Sequence, residues 1–320
     1  MHLGVILLAG VMSSYEKFKS KYLQFDDSLE HIIDQYLVWV NDDKYMILGK
    51  KKEIDFEYFA VKCSKRGNDV YRKRVSTRFN EVLFGVDDLR FFNRKERGGQ
   101  KKTRALFVTL TCDTKLCSWE EARNRVSNDF NRFMANVRKG FGGVSCVRVY
   151  EASSRGYPHI HCILLFDSFE FNVFRGQRGK FRIKSKSVFE RYWHSFIDVQ
   201  GMDCIGGGLG YLRKYLLKGC DAERADSKGL LTLALTWAFR KRAFSISGKS
   251  HRILNELSEE DDLDEDGQGP GSVFVVIGFV SARLVGLEPD VWFKQLDVKW
   301  VRKWVFGDTV GYGEEKTKGV

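Results

Sequence analysis

The sequence has no apolar run of about 18 residues, so no transmembrane helix is expected. Residues 1–12 are apolar, but no basic stretch precedes them and they run into Ser13-Ser14-Tyr15-Glu16. That pattern argues for a buried strand or short helix rather than a secretory signal. The seven cysteines, Cys63, Cys112, Cys117, Cys146, Cys162, Cys204 and Cys220, contain no Cys-x-x-Cys pair and no regular spacing. This argues against a disulfide framework and for reduced packing thiols in a cytoplasmic protein. Cys112 and Cys117 with a histidine would make part of a zinc site, but the pair alone falls short of one. With 43% apolar residues over 320 positions, the chain can bury a substantial core, in one large domain or two to three small ones.

Acidic residues are concentrated in one place. Residues 256–266 hold eight of them (Glu256, Glu259, Glu260, Asp261, Asp262, Asp264, Glu265 and Asp266) and no base, as a linker or long loop would. Without that block the net charge rises from +11 to +19. So basic a body points to a polyanionic partner, most often nucleic acid; a basic surface kept for solubility is the plainer alternative. Arg94, Lys95, Arg97, Lys101, Lys102 and Arg104 surround Gly98-Gly99 as a flexible cationic loop of the kind that tracks phosphates.

The hydrophobic patterning predicts a mixture of helices and strands. Leu29, Ile32, Ile33, Tyr36 and Leu37 repeat at helical spacing, residues 45–48 read as extended, and residues 71–92 are mostly helical. Residues 106–111 read as a strand. Ser118-x-x-Glu121 is a capping box, opening a helix whose stripe is Trp119, Ala122, Val126, Phe130, Phe133, Met134 and Val137 and which ends near Gly140. Residues 144–151 and 157–166 form an expected antiparallel hairpin. A second hairpin is expected over 169–186, turning at Gly176 and Gly179, with helices over 187–199, 209–218 and 230–244 and a strand over 273–280. The expected organisation is a basic extension over 1–104, a core over 105–245, the acidic linker over 246–272 and a C-terminal strand with a Trp-containing tail over 273–320.

The chemistry gathers around Tyr157-Pro158-His159-Ile160-His161. Alternation along a strand puts His159 and His161 on one face and Ile160 on the other. Two imidazoles on one face suit a divalent metal if a third ligand is near, although a half-buried strand with two hydrogen-bonded histidines has the same pattern. Glu151 ends the preceding strand, and the connection over residues 152–158 lets its carboxylate turn back toward the histidines; a surface pairing with Arg148 or Arg155 is its other fate. Two imidazoles and a carboxylate accept Mn²⁺ or Mg²⁺ as well as Zn²⁺. On a helix Tyr211, Tyr215 and Lys218 share one face, while Leu209, Leu212 and Leu216 form the core stripe. A free phenol has a pKa of about 10 and is a poor nucleophile unless its target is polarised. The helix reads either as a nucleophile carrier or as a basic amphipathic helix with tyrosines at its rim.

Phe107-Val108-Thr109-Leu110-Thr111, Tyr157-Pro158-His159-Ile160-His161 and Tyr211-Leu212-Arg213-Lys214-Tyr215-Leu216-Leu217-Lys218 resemble the three ordered motifs of rolling-circle replication initiators in the HUH endonuclease superfamily. The similarity covers about residues 105–220 and is nearest the plasmid and phage proteins with a paired-tyrosine motif. It implies an α+β fold with a ferredoxin-like, RRM-like antiparallel sheet and flanking helices, the metal on its open face and the tyrosine helix beside it. It further implies nicking of single-stranded or unwound origin DNA, with host helicase and DNA polymerase as partners. His159, His161 and Glu151 carry over as metal ligands, with Mn²⁺ or Mg²⁺ as cofactor. Tyr215 carries over as nucleophile with Lys218 in the basic role, and Tyr211 with Lys214 fits the same pattern. A transposase or relaxase on the same core, a non-catalytic RRM-like nucleic-acid-binding protein and a metal-dependent hydrolase of small phosphoesters are the rival readings.

Residues 243–250, Ala-Phe-Ser-Ile-Ser-Gly-Lys-Ser, match a permissive P-loop pattern. A P-loop joins a buried strand to a helix. Here the preceding residues read as a helix, which favours a basic loop near DNA.

Overall fold

The computed structural model describes residues 14–23, 28–52, 56–87, 102–176, 179–202, 205–248, 274–282, 291–298, 300–301 and 305. The expectations for residues 1–12, for Arg94, Lys95, Arg97 and Lys101, and for the acidic block lie outside these.

The elements follow one another as α1 (Ser14–Tyr22), α2 (Leu29–Asn41), β1 (Lys44–Lys51), β2 (Phe56–Lys62) and α3 (Asp69–Asp87). Then come β3 (Lys102–Thr103), β4 (Ala105–Thr111), α4 (Trp119–Phe141), β5 (Val144–Ala152) and β6 (Pro158–Phe166). After these lie β7 (Phe171–Arg175), β8 (Phe181–Ile183), α5 (Lys186–Trp193), β9 (Phe196–Gly201), α6 (Ile205–Lys218), α7 (Ser227–Ala238) and β10 (Phe244–Ser247). β11 (Phe274–Ser281) and β12 (Phe293–Leu296) complete the described elements. The fold is α+β, and the chain divides into two compact units, residues 1–39 with 66–260 and residues 40–65 with 261–320.

The first unit holds an open antiparallel sheet in the order β10-β5-β6-β4-β9-β8-β7-β3. Its four central strands, with α4 after β4 and α5 before β9, make a βαββαβ arrangement in which β4 lies between β6 and β9. Alternation sorts the side chains cleanly. Leu106, Val108, Leu110, Ile160, Cys162 and Leu164 face α4 and α5. Phe107, Val147, Val149, Ile163 and Leu165 face the opposite way, toward Leu209, Leu212 and Leu216 of α6 and Val75 and Phe79 of α3.

α4 forms as the capping box requires: Glu121 N donates to Ser118 Oγ at 3.2 Å and Ser118 N donates to Glu121 Oε2 at 2.9 Å. Its buried residues are the expected stripe from Ala122 to Val137, plus Arg123. α7 packs on α1 and α2 through aromatic rings, among them Tyr15 on Phe239 at 3.9 Å and Phe18 against Trp237 at 4.8 Å.

Two expected helices are shorter than the patterning suggests. α5 stops at Trp193, capped by His194 in the left-handed region, and residues 196–201 form β9 instead. Buried Ile197 and Val199 alternate there with Phe196, Asp198 and Gln200, a period of two that a helical reading of adjacent apolar residues hides. Likewise α7 ends at Ala238, and Phe244 begins the edge strand β10, which pairs antiparallel with β5. A strand therefore does precede Gly248, but it is an antiparallel edge strand, unlike the buried strand of a P-loop. Lys249 and Ser250 lie outside the described residues.

The second unit is a four-stranded sheet, β11-β1-β2-β12, with Tyr45, Ile47, Ala60, Ala282, Leu296 and Val301 buried together.

The connection between β5 and β6 is tightly held. Ser153 N donates to the Tyr157 carbonyl at 2.8 Å, the Gly156 carbonyl accepts from buried Arg123 Nε at 2.6 Å, and Tyr157 Oη donates to the Cys117 carbonyl at 2.8 Å. Gly156 has φ +81°, and a Cβ there would lie 3.2 Å from Leu29 and 3.3 Å from Trp119. Gly156→Ala is expected to lower stability by about 1–2 kcal/mol, read from the midpoint of urea unfolding.

Candidate metal centre and tyrosine pair

The antiparallel register of β5 and β6 pairs Glu151 with His159 and Val149 with His161, so the carboxylate and both imidazoles emerge on the α6 face. Donor atoms of Glu151, His159 and His161 lie within 4.8 Å of one another. It is the one such cluster of three or more His, Cys, Asp or Glu side chains among the described residues. Cys112 belongs to no such cluster, and burial pushes its thiol up to about 11, so it stays protonated and does not offer a thiolate to zinc.

Each ligand candidate is held by a neighbour. His161 Nε2 is 3.1 Å from Glu151 Oε2, and Nδ1 is 3.2 Å from Thr109 Oγ1 on β4. A hydrogen bond at one ring nitrogen fixes which tautomer is present, leaving the other free to act as a ligand. Burial, followed by the charges of His161 and Lys228, holds His159 below the usual imidazole value, so its lone pair is available at neutral pH. Burial alone would raise the Glu151 carboxyl, but hydrogen bonds from His161 and Lys228, with the Lys228 charge, outweigh it and hold the group below the ordinary carboxylate value. Two imidazole nitrogens and an ionised carboxylate fit a divalent cation such as Mn²⁺, Mg²⁺ or Zn²⁺.

α6 brings both tyrosines to this centre. Leu209, Leu212 and Leu216 are buried against the sheet, which turns Tyr211 and Tyr215 toward the histidines. The Tyr215 ring stacks on His161 at 4.6 Å with 23° between planes. Tyr211 meets Phe107 edge-on at 5.3 Å, is 46% exposed, and its hydroxyl shares a 2.6 Å hydrogen bond with that of Tyr215. Burial, then the Tyr211 hydrogen bond and the Glu151 charge, push the Tyr215 phenol well above its ordinary value. The helix opens on glycines. A Cβ at Gly208 would fall 2.0 Å from Met202 Cε, whereas Gly207 and Gly210 have nothing within 4 Å.

The remaining sequence candidates sit elsewhere. Lys214 is exposed on α6, and Lys218 is the last residue of that helix. Lys102 pairs with Glu170 at 3.8 Å, and Arg104 donates to the Asp167 carbonyl at 2.9 Å. Arg104 lies five residues along the strand direction from Thr109, roughly 17 Å from the histidines' end of the sheet.

Lys228 is absent from the sequence candidates, yet its Nζ is 3.0 Å from Glu151 Oε2. Thr232, one turn later, accepts from Ala152 N at 2.8 Å and so ties α7 to the end of β5, with Lys228 over Glu151. A signal for the helix start was present: Asp226 Oδ1 caps Gly229 N at 2.8 Å, an N-cap pattern that puts Lys228 in the first turn. Nothing in the sequence links that turn to Glu151.

A search of curated proteins finds no match to the chain. Residues 105–220 match the family model for the replication-associated protein ORF2. That span runs from β4 to just past α6, so it includes Thr109, Glu151, both histidines and both tyrosines. The match supports a replication-initiator family, and with it DNA binding, for the part of the chain that carries this centre.

Proposed function

We propose that the protein initiates DNA replication by nicking and rejoining single-stranded origin DNA through a phosphotyrosine intermediate, assisted by a divalent metal. The observation that carries this reading is the stacking of Tyr215 on His161, which puts a phenol beside the metal-donor cluster. Glu151, His159 and His161 would hold the ion, which when bound supplies Lewis-acid polarisation of a phosphate oxygen.

The chain's own groups account for the rest. Tyr215 Oη attacks the scissile phosphorus, the P–O3′ bond breaks, and the 5′ phosphate stays on tyrosine while the leaving oxygen takes up a proton as the 3′ hydroxyl. Tyr211, hydrogen-bonded to Tyr215 through the two hydroxyls, accepts or returns that hydrogen bond as the phenol proton departs. The free 3′ hydroxyl primes synthesis, and its attack on the tyrosyl phosphate rejoins the strand. Incubation with an origin-spanning oligonucleotide and Mn²⁺ should yield an adduct that survives denaturation and maps to a tyrosine peptide. Binding without adduct under these conditions would mark a non-catalytic nucleic-acid-binding protein.

Lys228 modulates the site in this reading. Its ammonium and a bound cation compete for the same carboxylate oxygen, and the pair is partly exposed, with 45% of the Lys228 side chain accessible. Lys228→Met is expected to tighten Mn²⁺ binding by up to about fivefold, the equivalent of about 1 kcal/mol for such an ion pair, as read by titration calorimetry.

A further inference from the structure

α3 and β10 enclose a cavity of about 550 Å³ lined by Arg66, Tyr71, Arg74, Arg78, Arg242 and Phe244. No acidic side chain lines it. Among the described residues these four arginines have no ion pair, whereas Arg72 and Arg224 nearby share Asp221 at 3.3 and 3.5 Å. Arg66 is the innermost case: its Nε and Nη1 are buried without a hydrogen-bond partner. Four like charges around one hollow repel each other, and a buried charged donor without an acceptor is costly. Both penalties are relieved by an anion. The guanidinium fork matches phosphate oxygens two at a time, and the Tyr71 and Phe244 rings offer faces on which bases stack.

The position of the cavity narrows the choice of anion. Phe244 pairs with Val149, and Val149 with His161, so the cavity lies two strand spacings, about 10 Å, across the same sheet face from the metal-donor cluster. We infer that this arginine cleft binds the phosphates of a single DNA strand where it continues beyond the nicking centre. The choice of DNA as the polyanion rests on the proposed function; the cleft and its charge do not.

The test uses the full chain and oligothymidylates of increasing length, with affinity read by fluorescence anisotropy over a range of salt. Arg74, Arg78 and Arg242 are exposed, so their replacement spares the core. The triple variant Arg74→Ala, Arg78→Ala, Arg242→Ala should reduce the slope of log affinity against log salt by about 2 on long strands and leave the shortest strands unaffected. The corresponding triple Lys variant should keep the wild-type slope. An unchanged slope in the Ala variant overturns the proposal, as does an equal loss on the shortest strands. Complete displacement of a long strand by inorganic phosphate at constant ionic strength also overturns it, in favour of a small-anion site. Wild-type protein that binds long strands through the cleft but never forms an adduct would remove the nicking reading and leave the cleft; an adduct with an unchanged slope would do the reverse.

Discussion

Tyr215→Phe is expected to form no covalent adduct with an origin oligonucleotide, and its nicking rate should fall by a factor of about 10⁴ to 10⁶, the scale set by loss of a catalytic nucleophile. The substitution is clean because it keeps the ring that stacks on His161 and removes only the hydroxyl. Tyr211→Phe should still form the first adduct, since its hydroxyl reaches the site through Tyr215 and its ring sits against Phe107 rather than a histidine. Peptide mapping of the adduct in each variant separates the roles. If the Tyr215→Phe protein forms a normal adduct on Tyr211, the two roles are exchanged. An adduct that persists when both are Phe shows that another residue attacks.

The second large effect concerns the histidines. Replacing His159 and His161 together with Ala should abolish Mn²⁺ binding in calorimetry and lower nicking by a factor of about 10³ or more. Binding of DNA through the basic surface should survive, because those phosphate contacts come from other side chains. The fold should survive as well, since Ile160, Cys162 and Leu164, facing α4 and α5, supply the core packing of this strand. The two measurements must move together. Nicking that continues in the double variant, or in wild-type protein stripped with EDTA, would mean that the cluster does not serve the reaction.

Much of this centre was legible in the sequence because its geometry is local or periodic. The His-x-His alternation needs only a strand, and the seven-residue connection from Glu151 needs only a hairpin; the register then puts Glu151 opposite His159. The spacing of Tyr211 and Tyr215 needs only a helix, whose leucine stripe says which face is buried. The capping box placed α4 for the same reason. What could not be read was any relation carried by tertiary packing. Lys228 reaches Glu151 because Thr232 binds the end of β5, a contact between residues 80 positions apart. Arg123 supports the β5–β6 connection from within a helix stripe that otherwise holds apolar residues. The arginine cleft joins positions 66–78 to 242–246, which no spacing in the sequence relates. Misread ends of α5 and α7 had another cause: apolar residues beside a helix extend its apparent pattern even where, as at Ile197 and Val199, the backbone has already become a strand.

The glycines at the start of α6 give the two phenols different mechanical mounts. Gly208 is required by the close approach of Met202, but Gly207 and Gly210 touch nothing, so packing does not explain their lack of a side chain. Each makes its turn of helix softer by about 1 kcal/mol relative to alanine. Tyr215 stands on the stiff part of the helix, between buried Leu212 and Leu216, while Tyr211 follows directly on Gly210 at the compliant end. One phenol is thus clamped to the sheet, and the other is carried on a spring.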